Sequence, residues 1–330
     1  MFSQKDVYEK KWNKNLPWIE KYRPMTINDV IYQTQVIKTL KEAISNNNLS
    51  HLLFYGPPGT GKTSAILAAS RELYTSDTYK DHVLELNASD ERGINIIRKK
   101  VKIFSQKTVC KNTKFKLVIL DEADSMTLEA QSILRHIIEK YSSITRFCII
   151  CNYIDKIIEP LISRCNKFRF YSLDKKSIMC VLKNISNHEN IKYSQSVMNY
   201  IYEVSNGDLR KAITMLQSAY YIYGENITVA SIEYIIGVLV SERLDEYIKI
   251  LKEKNHVKID NFCNNLNNES YSNYLIINQI FNKFIYDETI SDDIKSNIIK
   301  IITDSYYNLI NKSDYNLEFI KMSYNISSNF

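Results

Sequence analysis

Glycine and proline are scarce in this sequence, with seven glycines and five prolines among 330 residues. The last proline is Pro160 and the last glycine is Gly237, so the segment 238–330 lacks both of the residues that most often interrupt a helix. This absence predicts that the C-terminal part of the chain is built from helices. The hydrophobic content of 45% excludes wholesale disorder.

Long apolar runs are also missing. The longest ones, such as 147–151, contain a few residues, whereas a membrane-spanning helix needs about 20. We therefore expect no membrane span and no membrane partner. The first ten residues are polar and of mixed charge, with no apolar segment behind them, which predicts that they are not a secretory signal.

Cysteine is sparse as well. Six cysteines scattered over the chain are too few for a disulfide framework, which favours a reducing compartment. Cys148 and Cys151 form a C-x-x-C pair, but they lie in an apolar run and no second ligand pair with zinc spacing is present. We predict that both thiols are buried in the core.

At about 150 residues per domain, the length of the chain predicts two domains or three small ones.

Strand-like and helix-like segments alternate between residues 50 and 171. The repeated β–α order predicts an α/β fold with a mostly parallel sheet and helices on both faces. From Asp174 onward the pattern is helical, and Asp208 is a candidate N-cap. The predicted strands are 52–55, 83–86, 115–120, 147–151 and 168–171.

A glycine-rich loop follows the first predicted strand and precedes a helical segment. It has the P-loop pattern, in which glycines let backbone N–H groups surround phosphate oxygens and the next helix adds the positive end of its dipole. We expect Lys62 to contact the β- and γ-phosphates and the hydroxyl of Thr63 to ligate Mg²⁺. The predicted nucleotide-binding residues of this loop are Gly56, Pro57, Pro58, Gly59, Thr60, Gly61, Lys62 and Thr63.

Consecutive carboxylates end the apolar segment 117–120. Asp121 lies at the carboxyl end of a predicted parallel strand, where such sheets present their ligands, and we expect it to hold Mg²⁺ through a water molecule. Glu122 is predicted to orient and deprotonate the attacking water, which favours hydrolysis. A cluster that caps the next helix is the alternative, and it fits Asp124 better than Asp121.

Together these segments resemble the AAA+ ATPases, and further segments narrow the resemblance to the small subunits of replication factor C, the eukaryotic sliding-clamp loader. The matches run from Pro17 to about Gly237. The resemblance implies a RecA-like AAA+ domain at 1–172 with an N-terminal arm at 1–30, a helical lid at 173–238 and a helical collar at 239–330. The segments that carry it are PWIEKYRP (17–24), LNASDERG (86–93), ICNY (150–153), EPLISRC (159–165) and GDLRKA (207–212).

The resemblance also implies roles for single residues. Asn152 looks like the sensor-1 residue, which contacts the γ-phosphate or the lytic water. Arg210 looks like the sensor-2 residue, which closes the lid onto the nucleotide. Arg164 resembles the arginine finger, which in this family acts on ATP bound by the neighbouring subunit.

Part of the adenine pocket is implied near the N-terminus, at Tyr22, Arg23 and Val30. An arm that only packs against the core explains these residues about as well.

The formal net charge is +6, and the charged residues are distributed unevenly along the chain. From Arg92 to Lys116 there are nine basic residues and no acidic one, which predicts an anionic partner, although a solvated helix face explains the charges equally well. The resemblance implies that Arg92, Arg98 and Lys102 contact phosphates of primer–template DNA without reading its sequence. We expect 107–116 to lie in a loop that faces partners or solvent.

Two positions depart from the family pattern. His136 stands where a second arginine is usual after Arg135, which puts the role of that second position in doubt. Lys99 stands where relatives usually carry a carboxylate, which strengthens the positive field and removes a local ion pair.

We therefore predict an ATPase subunit of a five-membered, nuclear clamp loader. Its expected partners are four other replication factor C subunits, the sliding clamp PCNA and primer–template DNA, and its expected cofactors are ATP and Mg²⁺. ATP binding would tighten the ring around clamp and DNA, and hydrolysis would release both. Two alternatives stay open: a nucleotide-binding scaffold that mainly donates Arg164 to a neighbour, and another AAA+ remodeller such as a helicase loader or branch-migration motor.

Overall fold

The computed structural model describes residues 16–30, 33–46, 48–89, 94–106, 115–269, 271–288, 290–311 and 313–330, without the side chains of 76–77, 94–98 and 273. The chain separates into two compact units. The first contains the residues up to Ile191 together with Met198–Gln217, and the second contains Lys192–Val197 and Ser218–Phe330. The predicted domain boundaries at 172 and 238 stay predictions.

A parallel sheet of five strands forms the centre of the first unit, in the order β2-β3-β4-β1-β5. Because all strands run the same way, the carboxyl ends of β1, β3 and β4 meet at one edge of the sheet. The predicted α/β fold class is confirmed. The strands are β1 (Leu52–Tyr55), β2 (Val83–Asn87), β3 (Lys116–Asp121), β4 (Thr145–Cys151) and β5 (Asn166–Arg169).

Helices separate these strands and continue after them. Polar side chains fix several helix starts: Thr127 accepts the N–H of Ala130, and Asp208 accepts the N–H of Lys211 as the predicted N-cap. The helices that begin in this part of the chain are α1 (Trp18–Lys21), α2 (Thr34–Ser45), α3 (Lys62–Leu73), α4 (Ser76–His82), α5 (Ile94–Gln106), α6 (Leu128–Tyr141), α7 (Glu159–Ile162), α8 (Lys175–His188), α9 (Gln195–Ser205) and α10 (Leu209–Tyr223).

The core of the first unit lies along the central strands, where alternating residues such as Val118, Leu120 and Phe147 are fully buried. Cys148 and Cys151 are buried in it, as predicted. Burial raises the pKa of the Cys148 thiol well above its usual value and that of Cys151 to about 12. Both groups are therefore neutral thiols at physiological pH and pack as small apolar side chains.

The second unit is helical, which confirms the expectation for the C-terminal part of the chain. Its core surrounds the buried ring of Tyr247, which stacks on Phe262 and Phe319 and shares a 2.6 Å hydrogen bond with the hydroxyl of Ser323. Within the described residues, we find no helix with the length and apolarity needed to cross a membrane. The helices that begin after Gly224 are α11 (Val229–Ile236), α12 (Ser241–Lys252), α13 (His256–Asn268), α14 (Asn273–Tyr286), α15 (Asp292–Ile310) and α16 (Tyr315–Ser328).

Lys116 falls in both the predicted strand 115–120 and the predicted loop 107–116, and the structure decides for the strand. It is the first residue of β3, and only 1% of its surface is exposed, so the loop prediction is wrong at this residue. Its Nζ donates to the carbonyl oxygen of Phe104, 2.9 Å away in the last turn of α5. A cation is favourable there because the carbonyl end of a helix carries partial negative charge. Lys116 is thus a core residue, while 107–114 lie outside the described residues.

His51, just before β1, generates a prediction about pH. Its Nδ1 accepts the N–H of Phe147, and burial together with the charge of Arg146 lowers its pKa from 6.5 to about 4. The unfolded chain therefore binds more protons at this site between these pH values. The stabilising contribution of neutral His51 is complete above about pH 6.5 and is lost as the pH falls towards 4.

We expect His51→Gln to destabilise the protein most at neutral pH. The difference from wild type in the free energy of unfolding, measured by urea denaturation, should shrink as the pH falls, because only wild type must protonate this buried ring. Other acid-sensitive groups are common to both proteins and cancel in the difference. A difference that stays constant between neutral pH and pH 4.5 would contradict the assignment.

Candidate nucleotide-binding site

The loop between β1 and α3 requires glycine at two positions. Gly56 has φ +142°, and a Cβ added there would lie 2.1 Å from the carbonyl oxygen of Phe170. Gly59 has φ +68°, and its Cβ would lie 1.7 Å from Oδ1 of Asp208. Glycine alone fits this backbone without strain, so the loop can curve tightly and point its N–H groups inward.

Lys62 begins α3 and is largely buried, with 7% of its surface exposed. Its Nζ donates to the carbonyl oxygens of Gly56 and Pro57, both at 2.7 Å, and to Oδ1 of Asn152 at 2.9 Å. Burial lowers the pKa of Lys62, and the nearby carboxylate of Asp121 opposes that shift. The ammonium is thus held at the P-loop by oxygen acceptors, in the position predicted for a phosphate-binding lysine.

Thr63 and Asp121 meet across the sheet edge, where the Thr63 hydroxyl donates to Oδ2 of Asp121 at 2.7 Å. These are hard oxygen donors of the kind that Mg²⁺ prefers, and one hydroxyl with one carboxylate is a usual protein contribution when nucleotide phosphates and waters complete the shell. Among the described residues, no group of three or more His, Cys, Asp or Glu side chains is placed to hold a metal alone. The pair therefore fits a Mg²⁺ ion that is bound jointly with a nucleotide.

Glu122 has a left-handed backbone with φ +54°, which is uncommon for a residue with a side chain. Its N–H donates to Oδ1 of Asp121 at 2.9 Å, and the short 3₁₀ turn Ala123–Ser125 begins immediately after it. This sharp turn leaves the Glu122 carboxylate exposed at the edge of the site. Strained backbone of this kind concentrates at functional sites, where the neighbouring structure enforces it.

Asp124 does not cap the next helix, because Thr127 does so. Instead, Oδ2 of Asp124 accepts the backbone N–H groups of Asn152 and Tyr153, each at 3.3 Å. This carboxylate therefore ties the turn after β3 to the end of β4 and fixes the residue whose amide oxygen contacts Lys62. The capping alternative for Asp124 is wrong, because its acceptor oxygen is used across the sheet.

A cavity of about 450 Å³ lies over these groups and includes most of the predicted nucleotide contacts. Tyr22 and Arg23 line it from the N-terminal segment (residues 16–30), and Arg210 lines it from α10. Val30 is buried in the core and is not one of the lining residues, so the structure does not support it as an adenine contact. Tyr22 and Arg23 remain the candidate residues of the predicted adenine pocket. The residues of the predicted phosphate and metal sites that line it are Pro58, Gly59, Thr60, Gly61, Lys62, Thr63, Asp121, Glu122 and Asn152.

Several lining residues carry no motif and were missed by sequence reasoning. They include His188 at the end of α8, the apolar side chains of Val181 and Ile185 on the same helix, and Ile213 on α10. The spacing of the three α8 residues shows that they share one face of that helix, but nothing local shows that this face borders a cavity rather than a core.

Comparison with known proteins agrees with this geometry. The profile of the "ATPase family associated with various cellular activities (AAA)" matches residues 52–173, and that of the "RCF1/5-like, AAA+ ATPase lid domain" matches residues 180–221. Replication factor C subunit 2 of Saccharomyces cerevisiae is 42% identical over 94% of this chain and 92% of the yeast protein. Replication factor C subunit 4 of Homo sapiens is 44% identical over 95% of this chain and 88% of the human protein. This chain belongs to the replication factor C family.

The family assignment rests on sequence, and solved structures support the fold alone. The RuvB Holliday junction branch migration motor of Thermotoga maritima aligns with a TM-score of 0.52 over 70% of this chain and 80% of that chain. Its sequence identity is 17%, too low to carry function. The small subunit of replication factor C from Sulfurisphaera tokodaii, in contrast, is 41% identical over 90% of both chains. The likeness to replication factor C therefore extends beyond Gly237 into the helical second unit.

Arg164, the residue that resembles a replication factor C arginine finger, lies outside the cavity of its own chain. It follows α7, and its side chain is 35% exposed. One guanidinium nitrogen donates to the carbonyl oxygen of Pro160 at 2.7 Å, and another pairs with Glu139 at 2.6 Å. Glu139 also pairs with Arg135, and Nδ1 of His136 lies 3.6 Å from Oε2 of Glu139. His136 thus lies beside the ion pairs that surround Arg164.

The predicted DNA contacts are described only in part. Lys102 is exposed on α5, and Lys99 and Lys100 on the same helix are exposed too. Arg92 lies outside the described residues, and so does the side chain of Arg98. The helix that the resemblance assigns to DNA therefore presents at least these three cations to solvent.

The link from Asp124 to Asn152 yields a prediction for activity. We expect Asp124→Ala to release the end of β4 and to lower kcat for ATP hydrolysis about 10- to 100-fold, since Asn152 is the predicted sensor-1 residue and small misplacements of such a group cost this much. Asp124→Asn keeps an oxygen acceptor and should retain more activity. Steady-state ATPase assays of the assembled complex measure both.

The matched control is Asp155→Ala, which removes an exposed carboxylate just beyond the same strand. It should leave kcat unchanged. Equal activity of Asp124→Ala and wild type would show that Asn152 needs no such support.

Proposed function

We propose that this chain is an ATP-hydrolysing subunit of a clamp loader, in which it joins four other replication factor C subunits and helps to open the sliding clamp PCNA and load it onto primer–template DNA. The observation that carries the proposal is the meeting of three strand ends. Lys62 contacts Asn152 at 2.9 Å, Thr63 contacts Asp121 at 2.7 Å, and Glu122 projects beside them from a left-handed turn. Membership of the replication factor C family supports the clamp-loading task, and the arrangement of these side chains supports ATP hydrolysis.

The proposed reaction is hydrolysis of the terminal phosphate of ATP. Glu122 accepts a proton from water as the water oxygen attacks the γ-phosphorus. The bond from that phosphorus to the β–γ bridging oxygen breaks, which yields ADP and inorganic phosphate. Lys62 leaves its loop carbonyls for the phosphate oxygens, and Arg210 adds a second positive charge from α10. Asn152 holds the water or the γ-phosphate through an amide that can donate and accept.

Mg²⁺, held by Thr63 and Asp121, would draw electron density from the phosphate oxygens and neutralise their charge when bound. The protein's part is to fix the two ligands. Their 2.7 Å contact and the N–H of Glu122 on the other carboxylate oxygen orient the Asp121 side chain.

Arg164 is proposed to act on the ATP of a neighbouring subunit, as the family resemblance implies. Its position outside the cavity of its own chain agrees with this, because a residue that serves its own nucleotide would line that cavity. A guanidinium beside the γ-phosphate is worth about 10³- to 10⁵-fold in rate in P-loop enzymes. The pairing with Glu139 orients it on the surface.

DNA is proposed to bind through phosphate contacts from α5, with Lys102, Arg98 and Arg92 as candidate ligands. Contacts of this type position DNA without reading its bases, which suits loading at any primer end. The nucleus is the compartment that this task implies.

The first test concerns hydrolysis at this site. In a complex assembled with the four other subunits, Glu122→Gln should leave ATP binding intact and lower turnover at this site about 10²- to 10⁴-fold, the usual contribution of a general base. Lys62→Ala should abolish binding here. Single-turnover hydrolysis measures this site alone when the P-loop lysine of each other ATP-binding subunit is replaced by alanine.

Glu129→Gln, an exposed glutamate in the first turn of α6, is the control and should behave as wild type. Unchanged turnover in Glu122→Gln would contradict hydrolysis at this site. If Arg164→Ala nevertheless slowed the neighbouring site, the chain would be a scaffold that donates its finger. Strand separation or branch migration by the purified complex would favour another AAA+ remodeller.

The second test concerns DNA. Arg98→Ala combined with Lys102→Ala should weaken binding of primed DNA equally for all sequences. The slope of log affinity against log salt should fall by about 0.9 for each lost duplex phosphate contact. Lys38→Ala, an exposed lysine on α2, should leave the slope as it is. A double variant with the wild-type slope would place these side chains away from DNA.

A further inference from the structure

Glu189 joins two distant parts of the first unit. It follows the last residue of α8, and its Oε1 accepts hydrogen bonds from Nζ of Lys21 and from the hydroxyl of Tyr22, both at 2.6 Å. These partners are 168 and 167 residues away in sequence. Because the side chains of Lys21 and Glu189 are each only 18% exposed, water competes weakly for these bonds.

The charges make these bonds strong. Burial opposes ionisation of Glu189, but the hydrogen bonds from Lys21 and Tyr22 outweigh it and keep its pKa below the usual value. Burial and the same hydrogen bond raise the pKa of Tyr22, so its hydroxyl stays a donor. Charge-assisted hydrogen bonds of this kind are roughly twice as strong as neutral ones.

Tyr22 connects this cluster to the nucleotide cavity. It lines the cavity from the N-terminal side, and Val181, Ile185 and His188 line it from α8. The rings of Tyr22 and His188 are 6.1 Å apart between centroids. An apolar and aromatic wall is suited to a flat base, whereas the phosphate groups belong at the P-loop. Glu189 itself is not among the lining residues, so any effect on the nucleotide must pass through its partners.

We propose that Glu189 is a positioning residue for the nucleotide base: it holds Lys21 and Tyr22 against the end of α8 and thereby fixes the wall that the N-terminal segment contributes to the cavity. The inference rests on the proposed function of this site. It adds that recognition of the base depends on a carboxylate in the matched lid segment 180–221, so that the N-terminal segment and the first lid helix bind the base as one element.

The experiment compares two ligands of the purified full-length chain by calorimetric titration: MgATP, and magnesium tripolyphosphate, which has the phosphate chain without the base. Glu189→Ala should weaken MgATP about tenfold, as expected for the loss of one charged hydrogen-bond acceptor. Affinity for tripolyphosphate should stay at the wild-type value. In the assembled complex, KM for ATP should rise while kcat at saturating ATP stays unchanged, a split that general loss of structure would not produce.

Two conservative variants refine the test. Glu189→Gln keeps an oxygen that can accept the Tyr22 hydroxyl and should recover part of the MgATP affinity, and Tyr22→Phe, which keeps the ring, should fall between wild type and Glu189→Ala. The control is Glu225→Ala, which breaks the Lys192–Glu225 pair of the same 2.6 Å length on exposed side chains. It should bind both ligands as wild type does.

Two results for Glu189→Ala would overturn the inference: unchanged affinity for MgATP, or an equal loss for MgATP and tripolyphosphate. Lys62→Ala separates this outcome from failure of the proposed function, because it should abolish binding of both ligands. If Lys62→Ala bound both normally, the phosphate site itself would be wrong, and the inference about Glu189 would fail with it.

Discussion

The site depends on the hydrogen bonds that the buried ammonium group of Lys62 donates. A charge removed from water is costly unless other polar groups replace the lost hydration. Here two P-loop carbonyls and the amide of Asn152 do so at 2.7 to 2.9 Å. These acceptors follow the ends of β1 and β4. The two strands pair so that Tyr55 lies opposite Cys151, and Gly56 and Asn152 are the next residues of their strands' chain segments. The position of the charge is thus set by the register of two parallel strands.

The same register brings the acidic residues to the site. β3 pairs with the other side of β4, with Leu120 opposite Ile149, so its carboxyl end presents Asp121 to Thr63. Asp124 then reaches from the turn after β3 to the backbone at Asn152. Slipping one strand by a single residue would turn its side chains to the opposite face. The geometry of the site therefore depends on the pairing of the strands, and an apolar core along β3 and β4 maintains both.

Sequence reasoning agrees with the structure where local structure depends on neighbours in the chain. The P-loop pattern predicts the strand, loop and helix around Lys62 and Thr63, and the position of Asp208 predicts its helix cap. It was less successful where a role depends on residues that fold together from afar. Lys116 looked like a surface cation because its neighbours are basic, yet it is buried under the end of α5. The fifth strand begins at Asn166 rather than Phe168, because pairing of Leu52 with Asn166 extends it through polar residues that no apolar pattern marks. The partnership of Glu189 with Tyr22 spans 167 residues and has no local signal.

The central claim is that a triphosphate bound at Lys62 is hydrolysed with help from an adjacent subunit. Its most direct test is an experimental structure of the complete oligomer with a non-hydrolysable ATP analogue. We expect the γ-phosphate of this chain within hydrogen-bond distance of Lys62 and Asn152, and Arg164 of this chain within the same distance of a nucleotide on the next subunit. An Arg164 guanidinium remote from every nucleotide, or a triphosphate bound away from Lys62, would contradict the account.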